Sequence, residues 1–173
     1  MRPEVLERIR AIKRATRVAR AGTWRASEAI DRVVLDADER YRRRVALTAE
    51  GGLKFLLDLA EATALRNGDG LVLGDGTIIA VVGRPEPLAE ITASDAAALA
   101  RLAWHLGNRH TELQIVGDRI RIRHDRVLED MLRGLGARVT AIEAPFEPER
   151  GAYDHRHEAP GDPAGSGDRD NDV

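Results

Sequence analysis

The chain contains no cysteine, which excludes disulfide bonds, thiolate metal sites and cysteine nucleophiles. Aromatic residues make up only 3% of the 173 residues, so the core must be built mainly from Leu, Val, Ile and Ala. No apolar run approaches the roughly 20 residues that a membrane span needs, and the charged N-terminus lacks the apolar segment of a secretory signal. These absences predict a cytoplasmic protein that is not a membrane protein.

Charge is unevenly distributed, although the formal net charge is only −2. Residues 1–20 carry seven basic and two acidic side chains (+5), whereas residues 151–173 carry two basic and six acidic side chains (−4). Gly, Asp, Pro and Ser dominate from Gly151 onward and no periodicity remains. Residues 150–173 are therefore predicted to be a disordered acidic tail. Residues 1–14 form a lead-in extension, which is predicted to be a short helix over 3–13 or disordered.

Residues 15–84 carry the pattern of an all-β domain. Short runs rich in Val, Ile and Thr are separated by glycine turns, an arrangement typical of a small sandwich or barrel. The turn at Asp75 and Gly76 predicts a hairpin over 70–83. Segment 54–65 would suit a helix or a strand, and we favour a strand followed by a loop. The other predicted strands are 17–20, 31–35, 44–48, 71–73 and 77–82.

Residues 85–149 show a different pattern, which begins after a rigid boundary predicted at 84–87 from its two prolines. Apolar stripes predict two helices, the first capped by Ser94 and the second capped by Asp125. Gly134 or Gly136 would end the second helix. The predicted strands are 88–92, the hairpin 112–116 and 119–123 around Gly117, and 139–142. The order is β-α-β-β-α-β, so the predicted fold class is α+β, with an all-β domain followed by a ferredoxin-like βαββαβ domain and a disordered tail.

The segment 104–110 provides the strongest functional candidate. It has the form of a helix C-terminus, with Gly107 expected to be the left-handed capping residue and His110 on the loop that follows. Imidazole is a good ligand for nickel, copper and zinc. One histidine cannot hold a metal alone, but a two-fold axis could place His110 beside the same residue of a second copy.

The other histidines carry weaker signals. His105 lies beside the apolar stripe of the first predicted helix and is expected to be structural. His124 lies where the hairpin meets the second helix, and either a structural or a functional role fits it. His155 and His157 point the same way in an extended chain, so they could chelate one ion or close over an existing metal site.

The sequence offers few residues for a hydrolase, for another enzyme or for an RNA-binding protein. The chain has no G-x-S-x-G or H-E-x-x-H motif and no paired carboxylates that can be placed in a cleft. An enzyme that used His110 as a general base would lack a partner residue, so the protein is predicted not to be an enzyme. The βαββαβ order is shared with RNA-recognition modules, which stack bases on aromatic residues, but strands 113–115 and 119–123 contain none. The charge run 36–44 is expected to be a solvated loop or strand edge, with partner docking as the alternative.

Residues 15–153 resemble the UreE urease accessory proteins, a family of nickel metallochaperones. The resemblance rests on the run L-G-N-R-H at 106–110, the turn at 66–70, the segment 125–136 and the run P-F-E-P-E at 145–149. It implies an all-β domain, a ferredoxin-like domain that binds metal and forms a homodimer, and delivery of nickel to urease during metallocentre assembly. The implied partners are the urease apoprotein activation complex and the GTPase UreG.

The resemblance also implies the roles of individual residues. His110 matches the principal ligand, which both chains donate to one bridging nickel, and His124 matches a peripheral ligand of some members. His105 matches a histidine with a weaker metal role. Zinc or copper could bind the same site, and we expect His155 or His157 to complete it. Arg126 stands where some members have a second peripheral histidine, so few ions are expected per dimer.

Overall fold

The structure of the chain, a computed structural model, describes residues 13–150. The predicted helix at 3–13 and the predicted disordered tail lie outside this range, apart from Lys13 and Arg150. Ten strands and two α-helices follow in the order β1 (Lys13–Ala19), a 3-10 turn (Ala26–Glu28), β2 (Ala29–Leu35), β3 (Tyr41–Thr48), β4 (Lys54–Ala64), β5 (Gly70–Leu73), β6 (Ile78–Gly83), β7 (Pro85–Thr92), α1 (Ala96–Gly107), β8 (Gln114–Val116), β9 (Arg119–Arg123), α2 (Arg126–Gly134) and β10 (Arg138–Pro145).

The first six strands form one curled sheet in the order β2-β6-β5-β1-β4-β3. The sandwich alternative is wrong, because all six strands belong to the same sheet. The barrel alternative is closer, since the sheet is curled, although its edge strands β2 and β3 do not pair with each other. The pairs β1–β4 and β2–β6 are parallel, and the other neighbours are antiparallel. Alternate residues of β4 point into the core, namely Phe55, Leu57 and Leu59. Burial of each such side chain contributes roughly 1.5–3 kcal/mol.

Two details of this sheet differ from the sequence prediction. The segment predicted as a strand and then a loop is one strand as far as Ala64, because β3 pairs with β4 from Tyr41 to Thr48. Strand β1 begins at Lys13, two residues before the predicted β pattern, and runs parallel to β4 from its first residue. The hairpin at Asp75 and Gly76 is confirmed, since β5 and β6 pair antiparallel on either side of it.

The second half has the ferredoxin-like fold that the βαββαβ order predicted. Its four-stranded antiparallel sheet has the order β10-β7-β9-β8, in which the two middle strands are the first and third of the domain. Both helices pack on it and form a second apolar core. The buried members of this core are Ala89, Ile91, Leu102, Leu106, Ile120, Ile122 and Leu132.

The residues predicted to form a rigid boundary, 84–87, belong to strand β7 apart from Arg84. Pro85 and Pro87 are strand residues, paired with Pro145 and Glu143 of β10. Strand β9 pairs with β7 only from Leu88 onward, so both prolines lie where β7 has a single neighbouring strand. Proline lacks an N–H group and is tolerated in a strand at such positions.

The ends of the first helix and the hairpin also differ from the prediction. Asp95, and not Ser94, caps α1 by accepting a hydrogen bond from the Ala98 N–H group at 2.8 Å, while the Ser94 hydroxyl donates to Asp95. The bond from Ala98, together with that from Ser94, lowers the pKa of Asp95. Strand β8 is limited to Gln114–Val116, and the hairpin turn at Gly117 is confirmed.

The two sheets contact each other through the loop after β2. Arg40 is only 3% exposed, and its guanidinium donates to the carbonyl oxygens of Phe146 and Leu65 and to Glu147. Asp38 accepts from Arg123 of β9 at 2.6 Å. The interpretation of 36–44 as a solvated charge run is therefore wrong for its first half, which joins the all-β part to the ferredoxin-like part.

No helix within residues 13–150 is long and apolar enough to cross a membrane.

Candidate metal centre

Helix α1 leads directly into the segment that carries the strongest candidate ligand. Leu102 and Leu106 are buried on the sheet and fix the last turns of the helix. Trp104 lies on the opposite side and is 65% exposed. The helix therefore holds residues 107–110 at the protein surface beside an exposed aromatic side chain.

The helix ends in a way that the sequence did not predict. Gly107 is the last helical residue and is not left-handed, while His110 has φ +52°. His110 is the only non-glycine residue with positive φ between residues 13 and 150. The Thr111 N–H group bonds the Leu106 carbonyl at 3.2 Å, and the His110 N–H group bonds the Gly107 carbonyl at 2.9 Å. These two bonds form a Schellman motif in which His110 occupies the left-handed position that usually belongs to glycine.

A histidine in this position has an energetic cost. The left-handed region costs a residue with a Cβ atom roughly 1–2 kcal/mol relative to the right-handed region, and glycine avoids this cost. The side chain of His110 is exposed, so no packing in residues 13–150 offsets the cost. Strained residues of this kind concentrate at functional sites. The backbone conformation therefore gives an independent reason to assign a function to His110.

His105 is held within α1. Its ring contacts that of Trp104 edge-on, with 5.0 Å between the centroids. Its carbonyl oxygen also accepts from the Arg109 guanidinium at 2.9 Å. A half-buried, packed ring agrees with the structural role expected for His105.

His124 lies between β9 and α2, as predicted, and it has a partner that sequence reasoning missed. Its Nδ1 atom lies 2.5 Å from a carboxylate oxygen of Glu129, in the first turn of α2. The other carboxylate oxygen of Glu129 accepts from Arg133 at 2.9 Å. Asp125 caps the helix as predicted, by accepting from the Leu128 N–H group. The sequence contained one indication of this contact, namely a histidine immediately before a capped helix that has a glutamate in its first turn.

The end of the described chain lies close to the His110 loop. The Glu149 N–H group bonds the Leu113 carbonyl at 2.7 Å, three residues after His110. Arg123 links this region to the first sheet by pairing with Glu112 at 2.8 Å as well as with Asp38. Burial acts to lower the pKa of Arg123, but hydrogen bonding and charge from Asp38, Glu112 and Glu86 outweigh it and raise the pKa. The segment after Arg150 therefore begins near the candidate metal loop.

The candidate ligands are not gathered into one centre within residues 13–150. No group of three or more His, Asp or Glu side chains in this range could hold a metal ion. No hydrogen bond there joins His110 to His105 or His124. His155 and His157 lie outside the described residues. A metal centre at His110 therefore needs ligands from elsewhere.

The fold and the candidate residues define a class of protein with a curled β-sheet domain, a ferredoxin-like domain and exposed histidines on the latter. Residues 4–83 match the N-terminal domain of the UreE urease accessory protein, and residues 86–170 match its C-terminal domain. The chain belongs to the UreE urease accessory protein family, which confirms the resemblance found in the sequence.

Three relatives named urease accessory protein UreE illustrate the match. The protein of Bradyrhizobium sp. (strain BTAi1) is 59% identical over 140 residues, which cover 81% of this chain and 68% of the relative. That of Beijerinckia indica is 52% identical over 140 residues, which cover 81% of this chain and 80% of the relative. That of Chelativorans sp. is 50% identical over 137 residues, which cover 79% of this chain and 87% of the relative. The RNA-recognition alternative finds no support in these matches or in β8 and β9, which carry no aromatic side chain.

Proposed function

We propose that this protein is a nickel metallochaperone that delivers Ni²⁺ to urease during assembly of its metal centre. In this role it is not an enzyme, and nickel is its cargo. The observation that carries the proposal is the left-handed His110 at the exposed end of α1, where glycine would be more stable. Family membership agrees with a role in urease maturation.

The proposed nickel site is shared between two copies of the chain. A single copy offers no cluster of three ligands in residues 13–150, so His110 needs a partner. A two-fold axis near His110 would place the same residue of a second copy beside it. Trp104, which is 65% exposed on the same helix, supplies apolar surface for such an interface. The ferredoxin-like part, residues 85–149, would then be the dimerisation and metal-binding domain, and residues 15–84 a separate β domain.

The tail can supply the remaining ligands. Glu149 is fixed to Leu113, and His155 follows Glu149 by six residues. Six extended residues reach about 20 Å, which is more than the distance that the three residues from Leu113 to His110 can span. His155 or His157 can therefore reach a nickel ion held by the two His110 side chains. His124 is proposed as a peripheral ligand.

The proposed setting follows from this role. The protein would act in the cytoplasm with the urease apoprotein activation complex and the GTPase UreG. Zinc or copper could bind the same imidazoles, because ligand type alone does not select nickel over these ions.

Titration calorimetry of Ni²⁺ into the full chain tests the proposal. His110→Ala is expected to remove the highest-affinity binding, whereas His105→Ala, the matched control five residues earlier, is expected to retain it. Unchanged high-affinity binding in His110→Ala would refute the site. Sedimentation velocity should show a dimer in the wild-type chain, and a monomer at all concentrations would refute the bridged nickel.

Truncation after Arg150 separates the contribution of the tail. Loss of His155 and His157 is expected to weaken nickel binding without abolishing it, because the His110 pair remains. Complete loss of binding on truncation would assign the site to the tail and not to the folded domain.

A further inference from the structure

We propose that Glu129 is a positioning residue that fixes the ring of His124 and leaves its Nε2 atom as the metal-binding atom. This inference rests on the proposed function in one respect only, namely that His124 binds metal. Glu129 itself would not touch the ion. It would act through its hydrogen bond to the Nδ1 atom of His124.

The contacts of Glu129 determine which ring nitrogen carries the proton. One carboxylate oxygen lies 2.5 Å from Nδ1 of His124, and the other accepts from Arg133 at 2.9 Å. A carboxylate paired with a guanidinium can only accept hydrogen bonds. Nδ1 must therefore be the protonated nitrogen, and in the neutral ring the lone pair lies on Nε2.

The surroundings allow Nε2 to bind an ion. The side chain of His124 is 60% exposed, while that of Glu129 is 10% exposed. No hydrogen bond to Nε2 is formed by the described residues. The backbone of His124 is also anchored, because its N–H group bonds the Pro87 carbonyl of β7 at 3.1 Å. The backbone of His124 and the Nδ1 atom of its ring are therefore both fixed, and the Nε2 atom is available to solvent.

Metal-binding histidines commonly donate their second N–H group to a carboxylate, which orients the ring and increases the basicity of the ligating nitrogen. The pair His124–Glu129 has this arrangement. A purely structural role, in which the pair only fixes the start of α2, would use the same hydrogen bond. The two roles differ in what happens at Nε2.

An isosteric substitution separates the two roles. In Glu129→Gln, Arg133 can only donate, so the amide oxygen must face Arg133 and the amide NH₂ group must face Nδ1. Nδ1 then becomes an acceptor and the ring proton moves to Nε2, where it blocks metal binding. Removing the guanidinium in the double variant Glu129→Gln/Arg133→Met frees the amide to rotate, which restores the original tautomer. Asp130→Asn, which alters the other carboxylate partner of Arg133, is the matched control.

The experiment uses the full chain with His110→Ala, so that Zn²⁺, a diamagnetic probe, reports on the peripheral site. Long-range proton–nitrogen NMR of the histidine rings gives the tautomer of His124 before zinc is added and the ligating nitrogen afterwards. We expect Nδ1–H in the wild-type background and Nε2–H in Glu129→Gln. The zinc affinity at His124 should fall by about 10-fold or more in Glu129→Gln. The double variant should recover both the tautomer and most of the affinity, and Asp130→Asn should change neither.

Three results would overturn the inference. The first is an Nε2–H tautomer of His124 when Glu129 is unchanged, and the second is an unchanged zinc affinity in Glu129→Gln. Absence of any zinc response at His124 would also overturn it, even if His110 binds nickel in the otherwise wild-type chain. Failure of nickel binding at His110, by contrast, would refute the proposed function and leave the tautomer measurement valid.

Discussion

Replacing Arg40 with alanine tests whether the contact between the two sheets stabilises the protein. Arg40 is the last residue of the loop between β2 and β3 and is 3% exposed. Its guanidinium donates to the carbonyl oxygens of Phe146 and Leu65, to the Glu147 carboxylate and to the Asp36 carbonyl oxygen. Arginine is almost never buried in this way unless it is fully paired.

The loss of stability can be estimated from these contacts. Arg40→Ala leaves buried carbonyl oxygens without a donor, at about 1–3 kcal/mol each, and leaves Glu147 without its cation. Glu147 is 31% exposed and keeps a hydrogen bond from the Asn67 N–H group. The loss of its cation therefore costs less than the roughly 3–5 kcal/mol of a fully buried ion pair, and the carbonyl oxygens of Phe146 and Leu65 dominate the loss. We therefore expect a loss of about 4 kcal/mol in the free energy of unfolding. At roughly 2–4 °C per kcal/mol for a chain of this length, the melting temperature should fall by about 8–16 °C.

Urea and thermal unfolding followed by far-ultraviolet circular dichroism measure this loss. Arg42→Ala is the matched control, because Arg42 lies two residues later on the exposed part of β3 and, among residues 13–150, its side chain bonds only the Tyr41 carbonyl. Its free energy of unfolding should stay within about 0.5 kcal/mol of the wild type. A change below 1 kcal/mol in Arg40→Ala would refute the assignment of Arg40 as a buried link between the sheets.

Two further predictions concern single side chains. His110→Asn should raise the free energy of unfolding by up to about 1 kcal/mol in urea titrations, because asparagine tolerates the left-handed region better, and it should lose high-affinity nickel binding. A lower stability would contradict the strain assigned to His110. Burial acts to raise the pKa of Glu90, but hydrogen bonds from Arg121 and Arg119 outweigh it and lower the pKa. Glu90 therefore stabilises the fold above its ordinary pKa near 4 and loses this effect as the pH falls through the lowered value. Glu90→Gln should flatten the acid dependence of the urea midpoint, whereas the exposed Glu143→Gln should not.

The fold could be predicted from the sequence where a local pattern, such as an apolar stripe, a turn or a helix cap, identified each helix or strand. The apolar stripes of α1 and α2, the Gly117 turn and the Asp125 cap all agree with the final topology. The first half was less clear, because glycine turns identify strands but not how they pair. Two of its five neighbouring strand pairs are parallel and join strands that are distant in sequence. No local pattern encodes such pairing.

The sequence named the candidate residues of the site but did not predict their geometry. Gly107 was a reasonable choice for the left-handed position, because glycine is the residue that adopts it without strain. The helix instead continues through Gly107, and the hydrogen bonds from His110 and Thr111 close its last turn. The sequence identified Gly107 and His110 as the residues near the helix end. Only the backbone hydrogen bonds show which of the two adopts the left-handed conformation. Glu129 was missed for a related reason, since its contact with His124 depends on where β9 and α2 meet.

The contacts between the two sheets help to fix the loop that carries His110. Arg123 joins Glu112, two residues after His110, to Asp38 in the loop after β2, and Arg40 joins that loop to Phe146 and Glu147. The backbone of Glu149 then bonds Leu113. The loop after β2 thus contacts both the chain that follows His110 and the chain that leads into the tail. The strained backbone of His110 needs such support, because an unsupported residue would relax to a more favourable conformation. The β domain therefore contributes to the candidate metal centre by keeping His110 and the start of the tail close together, although it provides none of the proposed ligands.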